Sequence, residues 1–149
     1  DVVLGTNRGY PQDQNLYQSV KGMSAAAQIV REGGAIVVAA ECADGLPEHG
    51  GYKELLREAA GPAEFLDGLS RQRIARHDQW NVQVQAQVQR RARVLVHADG
   101  LSPEQLRAAW VEPVDDVSVC VAGLLGSAGA EARLAVLPQG STTIPYVAV

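Results

Sequence analysis

Two cysteines in 149 residues, Cys42 and Cys120, lie far apart among apolar or small neighbours. A pair so placed builds neither a disulfide framework nor a zinc site, and it suits a chain kept reduced, as in a cytoplasm. Long apolar runs are missing too. AIVVAA at 35–40 falls far short of the roughly 20 residues a membrane-spanning helix needs. The amino terminus has no charged segment followed by an apolar signal core, so the sequence predicts a soluble protein. Basic residues are not gathered into one face either. RRAR at 90–93 is their densest group and the net charge is -4, a balance that argues against a nucleic-acid partner. RRAR reads instead as a solvated helix end whose cations suit the negative pole of the helix dipole.

What is present is the composition of an ordinary globule, with 46% hydrophobic and 20% charged residues, so neither a disordered tail nor a repeat array is expected. A chain of this size forms one domain, residues 1–149, and buries roughly two thirds of its unfolded surface. It opens on a strand-like VVLG without an initiator methionine, which predicts a piece of a longer polypeptide.

VVLG at 2–5, AIVVAAEC at 35–42, RVLVHA at 93–98 and RLAVLP at 133–138 read as strands, the second continuous and β-branched as a doubly covered central strand should be. Pro11 and Asp13 are helix-start residues. After them Leu16, Val20, Met23, Ala27 and Val30 recur at helical spacing, predicting one long helix that ends at Gly33-Gly34. YKELLREAA and PAEFLDGL read as two short helices. VQVQAQVQ at 82–89 alternates as a strand would, yet Ile74, Trp80, Val84, Val88 and Ala92 can share a helical face and the composition favours helix; helix is chosen. Ser102, Pro103 and Gln105 spell a capping box. Val117, Cys120, Val121 and Leu124 follow a capping aspartate and predict a helix ending near Gly126 or Gly129. Strands alternating with helices predict an α/β fold, a three-layer, mostly parallel sheet of about five strands with helices on both faces.

The chemistry centres on one lysine. Opposite the apolar stripe of the first helix lie Gln14, Tyr17, Gln18, Lys21, Ser24 and Gln28. Lys21 sits one turn beyond Tyr17 and three residues beyond Gln18, so the three can reach one point. A solvated face usually mixes acids and bases; this one surrounds a lone cation with uncharged hydrogen-bonding groups, as a site awaiting an anion would. The alternative is an exposed lysine on an amphipathic helix. Gly22 inside the helix suggests that another backbone or a ligand comes close. His49, His77 and His97 are isolated in the sequence and read as structural or solvent-facing, which makes a dedicated metal centre in this domain unexpected.

GYPQDQNLYQSVKGM at 9–23 and GGAIVVAAECADGL at 33–46 resemble the C-terminal domain of the nickel-dependent lactate racemase family. The likeness continues through DQW at 78–80, RVLVHADGLSPE and VLPQGSTTIP. In that family a larger N-terminal domain carries the histidines and lysine that hold a nickel pincer nucleotide, and the C-terminal domain closes over the cleft. The resemblance implies a racemase or epimerase of 2-hydroxy acids, acting by hydride transfer through a flat keto acid. It implies that Lys21 meets the substrate carboxylate, with Tyr17 and Gln18 assisting and Trp80 as an apolar wall; ordinary core packing is the alternative for Trp80. The partners implied are a small 2-hydroxy acid and the N-terminal domain of the same polypeptide, and the separated domain is expected to be inactive.

Arg8, where relatives commonly carry a small residue, either meets a second substrate carboxylate or points to solvent. Glu41 and Cys42 fall at the carboxyl end of a strand, where open α/β sheets bind ligands, although Cys42 reads equally well as an inert buried thiol. Two rival readings remain. Gly123, Gly126 and Gly129 suggest a nucleotide-binding module, but G-x-x-G-x-x-G is not the dinucleotide fingerprint. The other rival is a non-catalytic interaction domain on the same scaffold.

Overall fold

The computed structural model describes residues 1–148. Five strands, β1 (Val2–Thr6), β2 (Ala35–Ala40), β3 (Arg93–Ala98), β4 (Glu112–Pro113) and β5 (Leu134–Leu137), form one sheet in the order β4-β3-β2-β1-β5. Every pairing is parallel. Six helices connect or cover them: α1 (Leu16–Ala27), α2 (Tyr52–Glu58), α3 (Pro62–Leu69), α4 (Gln79–Arg91), α5 (Pro103–Ala108) and α6 (Val117–Ala128). The expected α/β class, parallel sheet and helices on both faces are all present.

Alternation along the strands divides the core. Val3, Ile36, Val38, Val94 and Val96 face a large cluster with Leu16, Val20, Met23, Tyr52 and Phe65 from the helices. Val2, Ala35, Val37 and Leu95 face a smaller one with Val114 and Val121, under α6. Parallel crossovers keep one hand, so the successive steps β1 to β4 place α1–α5 on one face, and the return from β4 to β5 places α6 on the other. That reversal makes the carboxyl ends of β1 and β5 the topological switch point of the sheet, where open α/β folds leave a crevice.

Several local expectations are corrected. Asp13 does not start α1; its Oδ2 accepts from the Glu41 backbone N–H at 3.1 Å, and Asn15 is the cap, its Oδ1 accepting from Gln18 N at 3.0 Å. The helix ends at Ala27 rather than at Gly33-Gly34, and Arg91 donates to the Val30 carbonyl at 2.9 and 3.1 Å, drawing the chain down toward β2. VQVQAQVQ is helical as chosen, but its buried side is Asn81, Val82, Gln85, Ala86 and Val88. Ile74 and Trp80 are exposed instead, at 82% and 57%. Gln85 is buried because both ends of its amide are used: it accepts from the Tyr52 hydroxyl and donates to Ala109 O at 2.7 Å. The two-residue β4 carries no periodicity and is invisible to pattern reading.

The approach inferred at Gly22 comes from protein backbone. A Cβ there would stand 3.3 Å from Thr6 O and 3.2 Å from Asn7 Oδ1, and one at Gly140 would stand 2.8 Å from Thr6 O. The two glycines let α1, the end of β1 and the turn at Gly140–Thr142 close onto one another.

Candidate active site

Asn15 fixes where α1 begins and hence which residues its first turns present. Tyr17, Gln18 and Lys21 fall on adjacent turns, and Lys21 Nζ donates to Gln18 Oε1 at 2.6 Å. Gln18 accepts from Lys21 with its oxygen and keeps both amide N–H donors, beside the remaining donors of an exposed ammonium. The pair is a compact cluster of donors with no acid bonded to it. Tyr17 and Gln18 line a cleft of about 310 Å³, whose other walls include Pro47, His49, His77 and Asp78. Lys21 does not line this cleft; it is tied to it only through its bond to Gln18. Trp80 lies edge-on to Tyr17, ring centroids 6.1 Å apart and planes at 81°; it is surface beside the cleft, and the core-packing alternative fails.

Asp78 joins the cleft together. Its Oδ1 accepts from the Tyr17 hydroxyl at 3.3 Å and its Oδ2 from the Gly51 backbone N–H at 3.0 Å. His77 Nδ1 lies 3.1 Å from the same Oδ2. The residue sits just before α4 in the left-handed region, φ 61°, which aspartate enters more easily than most side chains. Asn81 donates to the Tyr17 carbonyl at 3.1 Å, a second tie between α4 and α1. Burial raises the Tyr17 phenol above its ordinary pKa; a hydrogen bond with Asn81 opposes this, and the Asp78 carboxylate reinforces it.

Reading the histidines one by one missed the approach of His49 and His77 to one cleft. The available signal was the HDQW run at 77–80, in which a histidine directly precedes the matched DQW. His97 is elsewhere, its Nδ1 2.9 Å from Val114 O. No group of three or more His, Cys, Asp and Glu residues that could hold a metal occurs among the described residues.

The remaining candidates do not join the cluster. Cys42 is fully buried, and burial pushes its thiol up to about 11, so it is a poor nucleophile at neutral pH. Glu41 is held through its backbone by Asp13. Arg8 is exposed with φ 77°; its backbone N–H donates to Thr6 Oγ1 at 3.1 Å, and its guanidinium makes no hydrogen bond or ion pair among the described residues. Gly123 and Gly126 lie within α6, so they form no turn that could cradle a phosphate.

Residues 1–144 match the family described as lactate racemase C-terminal domain. Lactate racemase of Thermoanaerobacterium thermosaccharolyticum is 34% identical over 148 residues, covering 97% of this chain and 34% of that protein. Lactate racemase of Lactiplantibacillus plantarum is 33% identical over 144 residues, covering 94% of this chain and 33% of its own length. The structure of the T. thermosaccharolyticum lactate racemase apoprotein superposes with a TM-score of 0.86 at 33% identity, over 97% of this chain and 35% of that one. The chain therefore spans about a third of the curated relatives it matches. Agreement in both sequence and fold over almost its entire extent places the chain in the lactate racemase C-terminal domain family.

Proposed function

We propose that this domain is the substrate-closing part of a nickel-pincer-nucleotide-dependent racemase or epimerase of 2-hydroxy acids, inactive when separated from the rest of its polypeptide. The observation that carries the reading is the Lys21–Gln18 donor pair, 2.6 Å apart, in which Gln18 shares the lining of one cleft with Tyr17. An anionic carboxylate there would gain charge-assisted hydrogen bonds from Lys21 Nζ and the Gln18 amide, which hold and orient it better than a point charge alone. The exposed Trp80 would cover the apolar part of a small acid once a facing surface closes over it.

When bound, the nickel group would supply the hydride-acceptor chemistry that this reading requires. The described residues do not fit the role of holding it, since they offer no set of metal ligands; this reading assigns that task to an N-terminal domain outside the chain. What Lys21, Gln18, Tyr17 and Trp80 contribute is binding, orientation and exclusion of water. The setting is cytoplasmic in this reading, and no helix among the described residues is long and apolar enough to cross a membrane.

The test is to load the complete protein with the nickel cofactor and follow interconversion of the enantiomers of a panel of 2-hydroxy acids. Interconversion of at least one member, slowed roughly 10-fold or more in Lys21→Ala, supports the proposal. Full turnover by Lys21→Ala, or no interconversion across the panel, defeats it.

A further inference from the structure

Arg8 occupies a backbone conformation that suits glycine. Its φ is 77°, as is that of Gly9 after it, and a long side chain enters this region at a cost that glycine avoids. The turn around it is firmly held. The Arg8 backbone N–H donates to Thr6 Oγ1 at 3.1 Å, and Thr6 Oγ1 donates to Pro138 O at 2.6 Å. Ser141 Oγ donates to Asn7 O at 3.2 Å, and Gln12 N–H donates to Gly9 O at 2.9 Å. None of these bonds uses the Arg8 guanidinium, so nothing in the local fold calls for an arginine. Strain kept against an easier choice of residue is the kind that accompanies function.

The place of Arg8 in the fold bears on what its side chain can meet. It follows β1 by two residues, at the switch point where an open α/β sheet leaves a crevice. Asn7 is one peptide away, about 3.8 Å from Cα to Cα, and is bonded to Gln18 O and to Gly22 N–H at 3.0 Å each. Those two groups bracket Lys21 on α1. Arg8 and Lys21 are both exposed, and neither enters an ion pair among the described residues. Two cations on segments tied together through one side chain, each without an acid, suit a ligand that carries two anionic groups. Their chemistry differs: the ammonium is a point charge, whereas the guanidinium is a planar fork that takes a carboxylate through two parallel hydrogen bonds.

We propose that Arg8 is a specificity-determining residue that receives a second carboxylate, so that the preferred substrate is a short 2-hydroxy dicarboxylic acid whose first carboxylate lies at Lys21. The inference rests on the 2-hydroxy-acid reading above and narrows its substrate class. A monocarboxylic acid leaves the guanidinium in water and forgoes that contact alone.

The test uses the complete, cofactor-loaded protein and compares malate with 2-hydroxybutyrate, an acid of the same chain length that ends in a methyl group where malate has its second carboxylate. The readout is the ratio of kcat/KM for the two, from which any effect on folding, loading or closure common to both acids cancels. The unmutated protein is expected to favour malate. Arg8→Gly is expected to lower the ratio roughly 10- to 100-fold, the worth of a charge-assisted contact, and Arg8→Lys, which keeps the charge without the fork, to fall between. Glycine fits the left-handed turn, so Arg8→Gly is expected to fold. A fall short of about 10-fold in Arg8→Gly, or an unmutated protein that turns over 2-hydroxybutyrate as well as malate, overturns the assignment and leaves the 2-hydroxy-acid reading standing. Failure to interconvert any 2-hydroxy acid, lactate included, defeats that reading and this inference with it.

Discussion

Asn7 grips α1 at Gly22: its Oδ1 accepts from the Gly22 backbone N–H at 3.0 Å, while its Nδ2 donates to Gln18 O at 3.0 Å and also to Gln12 O. Gln18 C=O and Gly22 N–H are one i to i−4 pair of the helix, so a buried amide from the end of β1 engages both members of that rung. This happens at the turn that carries Gln18 and Lys21. The sheet's switch point and the candidate site are therefore joined through one side chain.

Asn7→Ala is expected to destabilise the protein by about 2–4 kcal/mol, because it leaves several buried polar groups without partners. Gly22→Ala tests the same contact from the other side. Alanine raises helix propensity by about 1 kcal/mol, yet its Cβ would press on Asn7 Oδ1 and Thr6 O at 3.2 and 3.3 Å, so the net change is expected to be a loss. Urea denaturation of each variant checks both signs.

Lys21 is exposed, so Lys21→Ala should change folding stability by less than about 0.5 kcal/mol. Loss of a charge-assisted contact to the substrate should lower kcat/KM roughly 10- to 100-fold, corresponding to about 1.5–3 kcal/mol. Steady-state kinetics alongside thermal melts separate these two effects. A lysine that only meets water would alter neither.

Tyr17 ionises above its ordinary pKa because burial disfavours the phenolate, with the Asp78 charge acting in the same direction. The folded state thus holds this proton more tightly than the unfolded one. Its contribution to stability is fully present below the unfolded pKa of about 10 and is lost as pH rises through the folded value. Asp78→Asn removes the opposing charge and should move the Tyr17 midpoint down. Ultraviolet-difference titration, with Tyr17→Phe subtracted, reads the shift; a midpoint that stays or rises contradicts the contact.

Cys42 and Cys120 should differ in reactivity. Burial pushes Cys42 to about 11, and it has no exposed surface. Cys120 is half-buried, raised chiefly by burial with Arg93 opposing. A thiol reagent at neutral pH is expected to label Cys120 first and Cys42 only on unfolding, and mass spectrometry of the labelled peptides distinguishes them.

The sequence by itself determined the elements whose causes are local. Ser102 and Gln105 form the expected capping box, the β-branched 35–40 run is the central β2, and helix-forming composition prevails over the alternation of 82–89. The grouping of Tyr17, Gln18 and Lys21 was legible for the same reason, since residues one turn apart are neighbours on any helix. Tertiary structure decided what depends on distant partners. Gln85 and Asn81 face inward because Tyr52, Ala109 and Tyr17 O receive them, so hydrophobic spacing found Val88 and Ala92 on the buried side of α4 but missed its polar members and misplaced Ile74 and Trp80. Asp78 meets Tyr17 across 61 positions of chain, and His49 and His77 line one cleft where Gly50 and Gly51 let the chain pass close to His77 and Asp78. Helical period and capping are written into neighbouring residues, whereas a carboxylate that joins Tyr17 to Gly51 exists only after the fold has brought those two segments to Asp78.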